Sequence, residues 1–173
     1  QLLARNPAAD WGALDDVVYG CANQAGEDNR NVARMAVLLA GLSAVVPGAT
    51  INRLCGSGLD AVATAARAIR SGEAELLIAG GVESMSRAPF LNDSIRQGHK
   101  YGAVQLRDAL QTDGLWCTLC DWGMGNAAEF IGRQLEISRA EMDQLAYSSH
   151  AKAAAATEAG KFLGVVAVGL ALA

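Results

Sequence analysis

Aromatic residues make up only 5% of this 173-residue chain, and it holds three Pro, four Cys and two His. Cys21, Cys55, Cys117 and Cys120 are too few and too irregularly spaced for a disulfide framework, which a chain of this length does not need. A reducing, cytoplasmic setting is therefore expected. No cluster of Lys and Arg occurs, and the formal charge is −4, so the electrostatic footprint of a nucleic-acid partner is missing. No apolar run reaches the roughly 20 residues of a membrane-spanning helix. Gly41, Pro47 and Gly48 break the uncharged stretch Met35–Asn52, and the apolar tail Phe162–Ala173 is only twelve residues long. Gln1–Asp10 carries Arg5 and Asp10 and lacks the apolar core of a secretory signal. No membrane partner is expected. What the chain does have is apolar material, 51% hydrophobic against 18% charged. That excludes a disordered chain and supplies the core of one globular domain, or of one domain with a tail.

The periodicity gives the architecture. Asp16–Gly20 reads as a short buried strand. Val32, Met35, Ala36 and Leu39 share one face of a helix, with Gly41 as its stop. Residues 49–54 read as a strand running straight into Cys55-Gly-Ser-Gly58. Leu59, Val62, Ala63, Ala66 and Ile69 repeat at helical spacing up to Ser71-Gly72. Residues 75–79 read as a further buried strand, closed by Gly80-Gly81. Strand, helix, strand, helix, strand, with crossovers of this length, predicts parallel pairing and right-handed connections. Strands without polar alternation predict a sheet covered on both faces, hence an α/β fold in α-β-α layers. From Ser84 to Asp121 the pattern dissolves, which predicts a functional loop region or a small subdomain. A helix is expected from Met124 to about Leu135. Ser138-Arg-Ala-Glu141 is a capping box that opens a second helix, expected to reach about Glu158 with Gly160 past its end. No repeat and no low-complexity linker is visible. The expected divisions are 1–83 for the α/β core, 84–136 for a loop subdomain with the start of the helical region, 137–162 for the capped helix returning to the core, and 163–173 for a divergent apolar tail.

One constellation carries chemistry. Asn52-Arg-Leu-Cys55-Gly-Ser-Gly58 sets a thiol at a strand-to-helix junction. Free N–H groups at a helix start present partial positive charge, which favours a thiolate there. Gly56 and Gly58 let the backbone turn sharply and let a substrate carbonyl approach, the logic of a nucleophile elbow. Taken alone, such a Cys is more often a small hydrophobe than a nucleophile.

The longer strings decide otherwise. Asn52-Arg-Leu-Cys-Gly-Ser-Gly-Leu-Asp-Ala61, Ala65-Ala-Arg-Ala-Ile-Arg-Ser-Gly-Glu-Ala74 and Ile78-Ala-Gly-Gly-Val-Glu-Ser-Met-Ser-Arg-Ala-Pro-Phe90 closely resemble the thiolases, the acetyl-CoA acetyltransferase family. Gly20-Cys-Ala-Asn-Gln-Ala-Gly-Glu-Asp-Asn-Arg-Asn-Val-Ala-Arg34 is most similar to degradative members of the β-ketoadipyl-CoA and 3-ketoacyl-CoA type. The resemblance resumes at Asp113-Gly-Leu-Trp116, at Met124-Gly125 with Ala128-Glu129, and from Ile137 to Phe162.

The resemblance implies that Cys55 is the acyl-accepting nucleophile. It implies cleavage of a 3-ketoacyl-CoA by CoA through an acyl-cysteine, or the reverse condensation, with ping-pong kinetics. A backbone N–H at Cys55 or a neighbour would help hold the developing oxyanion. No cofactor beyond the CoA thioester substrates is implied, and self-association into homo-oligomers is. Met124 falls where many members carry a Met beside the pantetheine arm, in a His-Met-Gly string. Here Gly123 stands in place of that His, so Met124 is the weaker substrate-binding candidate. Members are more than twice as long, built of two similar halves, and the second half supplies a Gly-His-Pro and a Cys-x-Gly motif. Neither occurs here in such a context, and neither His99 nor His150 replaces them. The chain thus reads as an N-terminal-half fragment that holds the nucleophile without its base, and little thiolysis is expected of it alone.

The remaining residues suggest blander roles. Cys117-Thr-Leu-Cys120 lacks two further ligands for zinc and the strand-to-helix setting of a thioredoxin motif, and no metal site is expected. Cys21 is expected to pack, Gly80-Gly81 to form a close turn, and Glu83, Ser84 and Met85 to be structural near the nucleophile. Glu27, Asp28 and Arg30 are expected in a solvated or intersubunit polar turn. Two other functional readings are a condensing enzyme of the ketoacyl-synthase type and a non-catalytic assembly module.

Overall fold

The computed structural model describes residues 1–24 and 30–162. Glu27 and Asp28 of the expected polar turn, and the tail 163–173, lie outside the described residues; Arg30 is exposed. The chain divides into two compact units, Leu2–Leu115 and the residues from Trp116 onward. The unit that holds the sheet therefore runs past residue 83 and takes in most of the irregular stretch.

After a short helix, α1 (Leu2–Arg5), the first unit builds β1 (Asp16–Gly20), α2 (Val32–Leu39), β2 (Ala49–Ile51), α3 (Ser57–Ser71) and β3 (Leu77–Gly81). The three strands are parallel in the order β2-β1-β3, with Val18 of β1 flanked by Ala49 and Ala79. The chain steps from β1 out to β2, then back across β1 to β3. Two right-handed crossovers of opposite sense put α2 and α3 on opposite faces of the sheet. Alternate residues of β1 serve the two faces. Val17, with Tyr19 beside it, joins Leu14, Ala33, Val37 and Val46 under α2, while Gly20 lies against the start of α3. Val17 and Val37 are almost wholly buried; each such side chain contributes about 1.5–3 kcal/mol relative to exposure.

Several local signals act as the sequence suggests. Gly41 turns left-handed (φ +75°) behind α2, and the Gly41 and Leu42 N–H groups donate to the carbonyls of Leu38 and Val37, a Schellman closure. Gly72 (φ +77°) closes α3 in the same way.

The inward faces of both crossover helices differ from expectation. In α2 the buried residues are Ala33 and Val37, not the Val32, Met35, Ala36 and Leu39 face; Leu39 is 83% exposed. In α3 they are Ser57, Ala61 and Ala65, while Leu59, Val62 and Ile69 are exposed. On α3 the reason is distance. A Cβ built on Gly20 would stand 2.2 Å from the Ser57 carbonyl carbon, so the sheet-facing side of α3 admits only small side chains. β2 stops at Ile51 rather than Leu54; the chain then turns, with Asn52 bound to the Ala22 carbonyl and Leu54 left-handed (φ +49°). β3 continues through Gly80 and Gly81, which pair with Tyr19 and Gly20 instead of ending the strand. β3 is half-buried rather than buried, since it and β2 form the sheet edges.

The first unit continues with the antiparallel pair β4 (Phe90–Leu91) and β5 (Arg107–Asp108), then a π-helical turn over Leu110–Leu115. The second unit holds the hairpin β6 (Trp116–Cys117) and β7 (Trp122–Gly123), then α4 (Met124–Gln134) and α5 (Arg139–Glu158). The capping box at Ser138 forms in full, and α5 ends at Glu158 with Gly160 at φ +69°.

Candidate active site

The elbow between β2 and α3 is held from both ends by hydrogen bonds. The Asn52 side-chain oxygen accepts the Leu54 N–H at 2.8 Å, and its amide donates to the Ala22 carbonyl at 3.1 Å. The Ser57 hydroxyl, a buried polar side chain, accepts the Arg53 N–H at 2.8 Å and donates to the Leu54 carbonyl at 2.7 Å. Between these anchors Leu54 turns left-handed, a conformation costing about 1–2 kcal/mol for a residue with a side chain. The next residue, Cys55, is exposed.

Gly56 is the N-cap of α3, and no side chain caps this helix. The Gly56 and Ser57 N–H groups donate to the carbonyls of Arg53 and Leu54, at 3.1 and 3.0 Å, so of the first turn only those of Gly58 and Leu59 are left to add to the positive potential of the helix start. Asp60, on the first turn, binds Arg53 at 2.8 Å and lies 3.7 Å from Arg67. The Arg53 guanidinium, ahead of the Arg67 charge, holds the Asp60 carboxyl below its ordinary range. The arginine ahead of the thiol is thereby tied to the helix behind it.

Cys55 lines a cavity of about 530 Å³ built wholly from the first unit. Its sheet side is the carboxyl ends of β1 and β3, at Gly20 and Gly81. In a parallel sheet of this order the crevice forms there, where neighbouring strands send their connections to opposite faces. The far side is Ala109, Leu110 and Asp113–Leu115 of the π-helical turn. Glu83 lines the cavity too; its carboxylate accepts the N–H groups of Ala22 at 2.7 Å and Asn23 at 2.9 Å, and the Cys21 thiol donates to it at 3.6 Å. Ser84 and Met85 complete that rim. The lining is mainly Gly, Ala, Val, Leu and Met, the character of a site that buries an organic chain and fixes it through few polar groups.

Other sequence candidates fall elsewhere. Met124 opens α4 in the second unit and is 43% exposed. His99 is exposed, with Nε2 at 2.9 Å from the Gly102 carbonyl, and His150 is exposed on α5. Cys21 is buried. Among the described residues no three His, Cys, Asp or Glu side chains are grouped to hold a metal ion, and no helix is long and apolar enough to cross a membrane.

A family model described as "Thiolase, N-terminal domain" matches residues 1–170. The chain belongs to the thiolase family. It is 49% identical over 170 residues to a β-ketoadipyl-CoA thiolase of Acinetobacter baylyi and 51% identical over 169 residues to one of Pseudomonas putida. It is 49% identical over 174 residues to a 3-oxoadipyl-CoA/3-oxo-5,6-dehydrosuberyl-CoA thiolase of Escherichia coli. These matches take in 92–93% of this chain and 41% of each relative, so the chain spans about two fifths of their length.

As a thiolase N-terminal domain, the molecule carries site residues that pattern reading left aside. Gly20 reads in the sequence as a strand end and the start of a family-like string, and in the structure it is where β1 meets α3. Asp113 sits in a stretch without periodicity; the family-like string Asp113-Gly-Leu-Trp116 was the one signal that this stretch lines the cavity.

Proposed function

We propose that this chain supplies the acyl-accepting half-site of a thiolase, with Cys55 as the nucleophile toward a 3-oxoacyl-CoA. The observation that carries the reading is the exposed Cys55 sulfur on a hydrogen-bonded elbow at the start of α3, facing no capping side chain and lining an apolar cavity at the sheet's carboxyl end.

The Cys55 thiolate attacks the C3 keto carbon. The C2–C3 bond breaks, the acetyl-CoA carbanion leaves and takes a proton, and the shortened acyl group stays on sulfur as a thioester. The CoA thiol then attacks that thioester and regenerates the thiolate. The Gly58 and Leu59 N–H groups at the start of α3 are suited to steady the oxyanion of each tetrahedral stage. The reaction needs no cofactor beyond the CoA thioester. Three relatives named for β-ketoadipyl-CoA or 3-oxoadipyl-CoA support a dicarboxylic 3-oxoacyl-CoA as substrate. Met124 is the proposed pantetheine contact. The same reading sets the protein in the cytoplasm and makes it a homo-oligomer, a role for which the exposed Leu59, Val62 and Ile69 of α3 offer apolar surface.

Acetyl-CoA supplies a direct test through the reverse half-reaction. Incubation followed by peptide mass mapping should find one acetyl group on the Cys55 peptide and none after Cys55→Ser. Acetylation of Cys117 or Cys120 instead, or labelling that persists in Cys55→Ser, refutes the assignment.

A further inference from the structure

The segments that follow β1, β2 and β3 meet at the carboxyl end of the sheet, where they line the cavity beside Cys55. One carboxylate links them. The ladder of β1 ends where the Cys21 N–H donates to the Ile51 carbonyl at 3.0 Å. The next two N–H groups, of Ala22 and Asn23, donate to Glu83, two residues past β3, at 2.7 and 2.9 Å. The buried Cys21 thiol donates to the same carboxylate at 3.6 Å. The Asn23 N–H and the Ala22 carbonyl belong to one peptide unit. That carbonyl accepts the Asn52 amide at 3.1 Å, and the Asn52 oxygen accepts the Leu54 N–H at 2.8 Å. A single chain of hydrogen bonds thus runs from Glu83 through the Ala22–Asn23 peptide and Asn52 to the residue before Cys55.

We propose that Glu83 is a positioning residue for the Cys55 sulfur, acting through the Ala22–Asn23 peptide and Asn52; the proposal rests on the acyl-transfer reading above. A carboxylate on the N–H side of a peptide polarises its carbonyl, so the bond to Asn52 is strengthened along the chain. Leu54 needs such a hold, because a left-handed residue with a side chain persists only where its surroundings fix it. Acyl transfer builds an oxyanion at one place relative to the sulfur, and the Gly58 and Leu59 N–H groups meet it only while the elbow keeps its form. Displacement of iodide from iodoacetamide by the same sulfur builds no oxyanion and makes no such demand. Both oxygens of Glu83 already hold main-chain N–H groups, which suits an anchor rather than a proton carrier.

The test compares the whole chain as wild type, Glu83→Gln, Asn52→Ala and the double variant. Gln offers one oxygen to the two N–H groups. Glu83→Gln should slow acetylation of Cys55 by acetyl-CoA more than about tenfold. Its alkylation by iodoacetamide should stay within about threefold of wild type. Hydrogen exchange should quicken at the Leu54 amide while the β1 amides keep their protection. Because both residues act on one chain, the double variant should be no more than about threefold slower in acetylation than the slower single variant. Equal losses of acetylation and alkylation, effects that multiply in the double variant, or unchanged Leu54 exchange overturn the proposal. Loss of β1 protection in Glu83→Gln makes the role a structural one and overturns it too. Wild-type protein that takes no acetyl group refutes the acyl-transfer reading and this role with it, whereas normal wild-type acetylation that Glu83→Gln leaves intact refutes the role alone.

Discussion

Gly20 shows how little room the elbow leaves. An added Cβ would meet the Ser57 carbonyl carbon at 2.2 Å, and the Gly58 nitrogen and Ser57 oxygen at 2.5 Å. All three are backbone atoms, so no rotamer change relieves the overlap and α3 must lift from the sheet. Gly20→Ala should therefore cost at least the upper end of the about 1–3 kcal/mol typical of overpacking. Urea unfolding checks this, and a change within about 0.5 kcal/mol, the range of an ordinary surface substitution, would refute it. The sequence shows Gly20 as the end of an apolar run and the start of a family-like string but not its close approach to α3, because that neighbour in space lies three elements further along the chain. Leu54 was equally silent, since nothing in a Leu announces φ of +49°. Cys55 was legible because it stands inside a long, position-specific string.

Elements were readable where a local rule governs them. Ser138 and Glu141 exchange hydrogen bonds within four residues, the Ser138 hydroxyl accepting the Glu141 N–H at 3.3 Å and the Ser138 N–H donating to Glu141 Oε2 at 2.8 Å. That spacing is visible in the sequence, and so is the Gly160 stop. Since α5 has no buried residue, its start depends on this cap more than on packing. Ser138→Ala should loosen the first turn by about 1 kcal/mol, seen as roughly fivefold faster hydrogen exchange at the amides after residue 138. Unchanged exchange there would count against a working cap. Helix faces were harder to read. Bulky apolar residues at helical spacing predict the buried sides of α2 and α3, but α2 buries Ala33 and Val37, and on α3 the close approach to the sheet selects Ala61 and Ala65. Apolar periodicity reports a stripe; it does not report how near the neighbouring backbone comes.

At the scale of the molecule, three carboxylates held by hydrogen bonds or an ion pair share one response to acid, Asp15 and Glu141 exposed and Asp60 half-buried. Asp15 accepts the N–H groups of Leu76 at 3.0 Å and Glu75 at 2.7 Å, joining the lead into β1 to the lead into β3. Asp60 binds Arg53, and Glu141 caps α5. Each pKa lies below its ordinary value, 3.8 for the Asp residues and 4.5 for Glu141, because these donors favour the charged form. A depressed carboxylate stabilises the fold fully above its unfolded pKa and loses that contribution as pH falls through its folded pKa. Thermal stability should thus hold at neutral pH and decline once pH drops below about 4.5, with Asp15→Asn and Asp60→Asn blunting the decline. Melting curves that stay flat to pH ~3 would refute the linkage. One consequence of the elbow reaches beyond this chain. The Cys55 sulfur is located by main-chain and short polar anchors, whereas the chamber wall across from it comes from a separate loop stretch. Substitutions can therefore reshape that wall for a longer, bulkier or charged occupant without moving the sulfur that faces it.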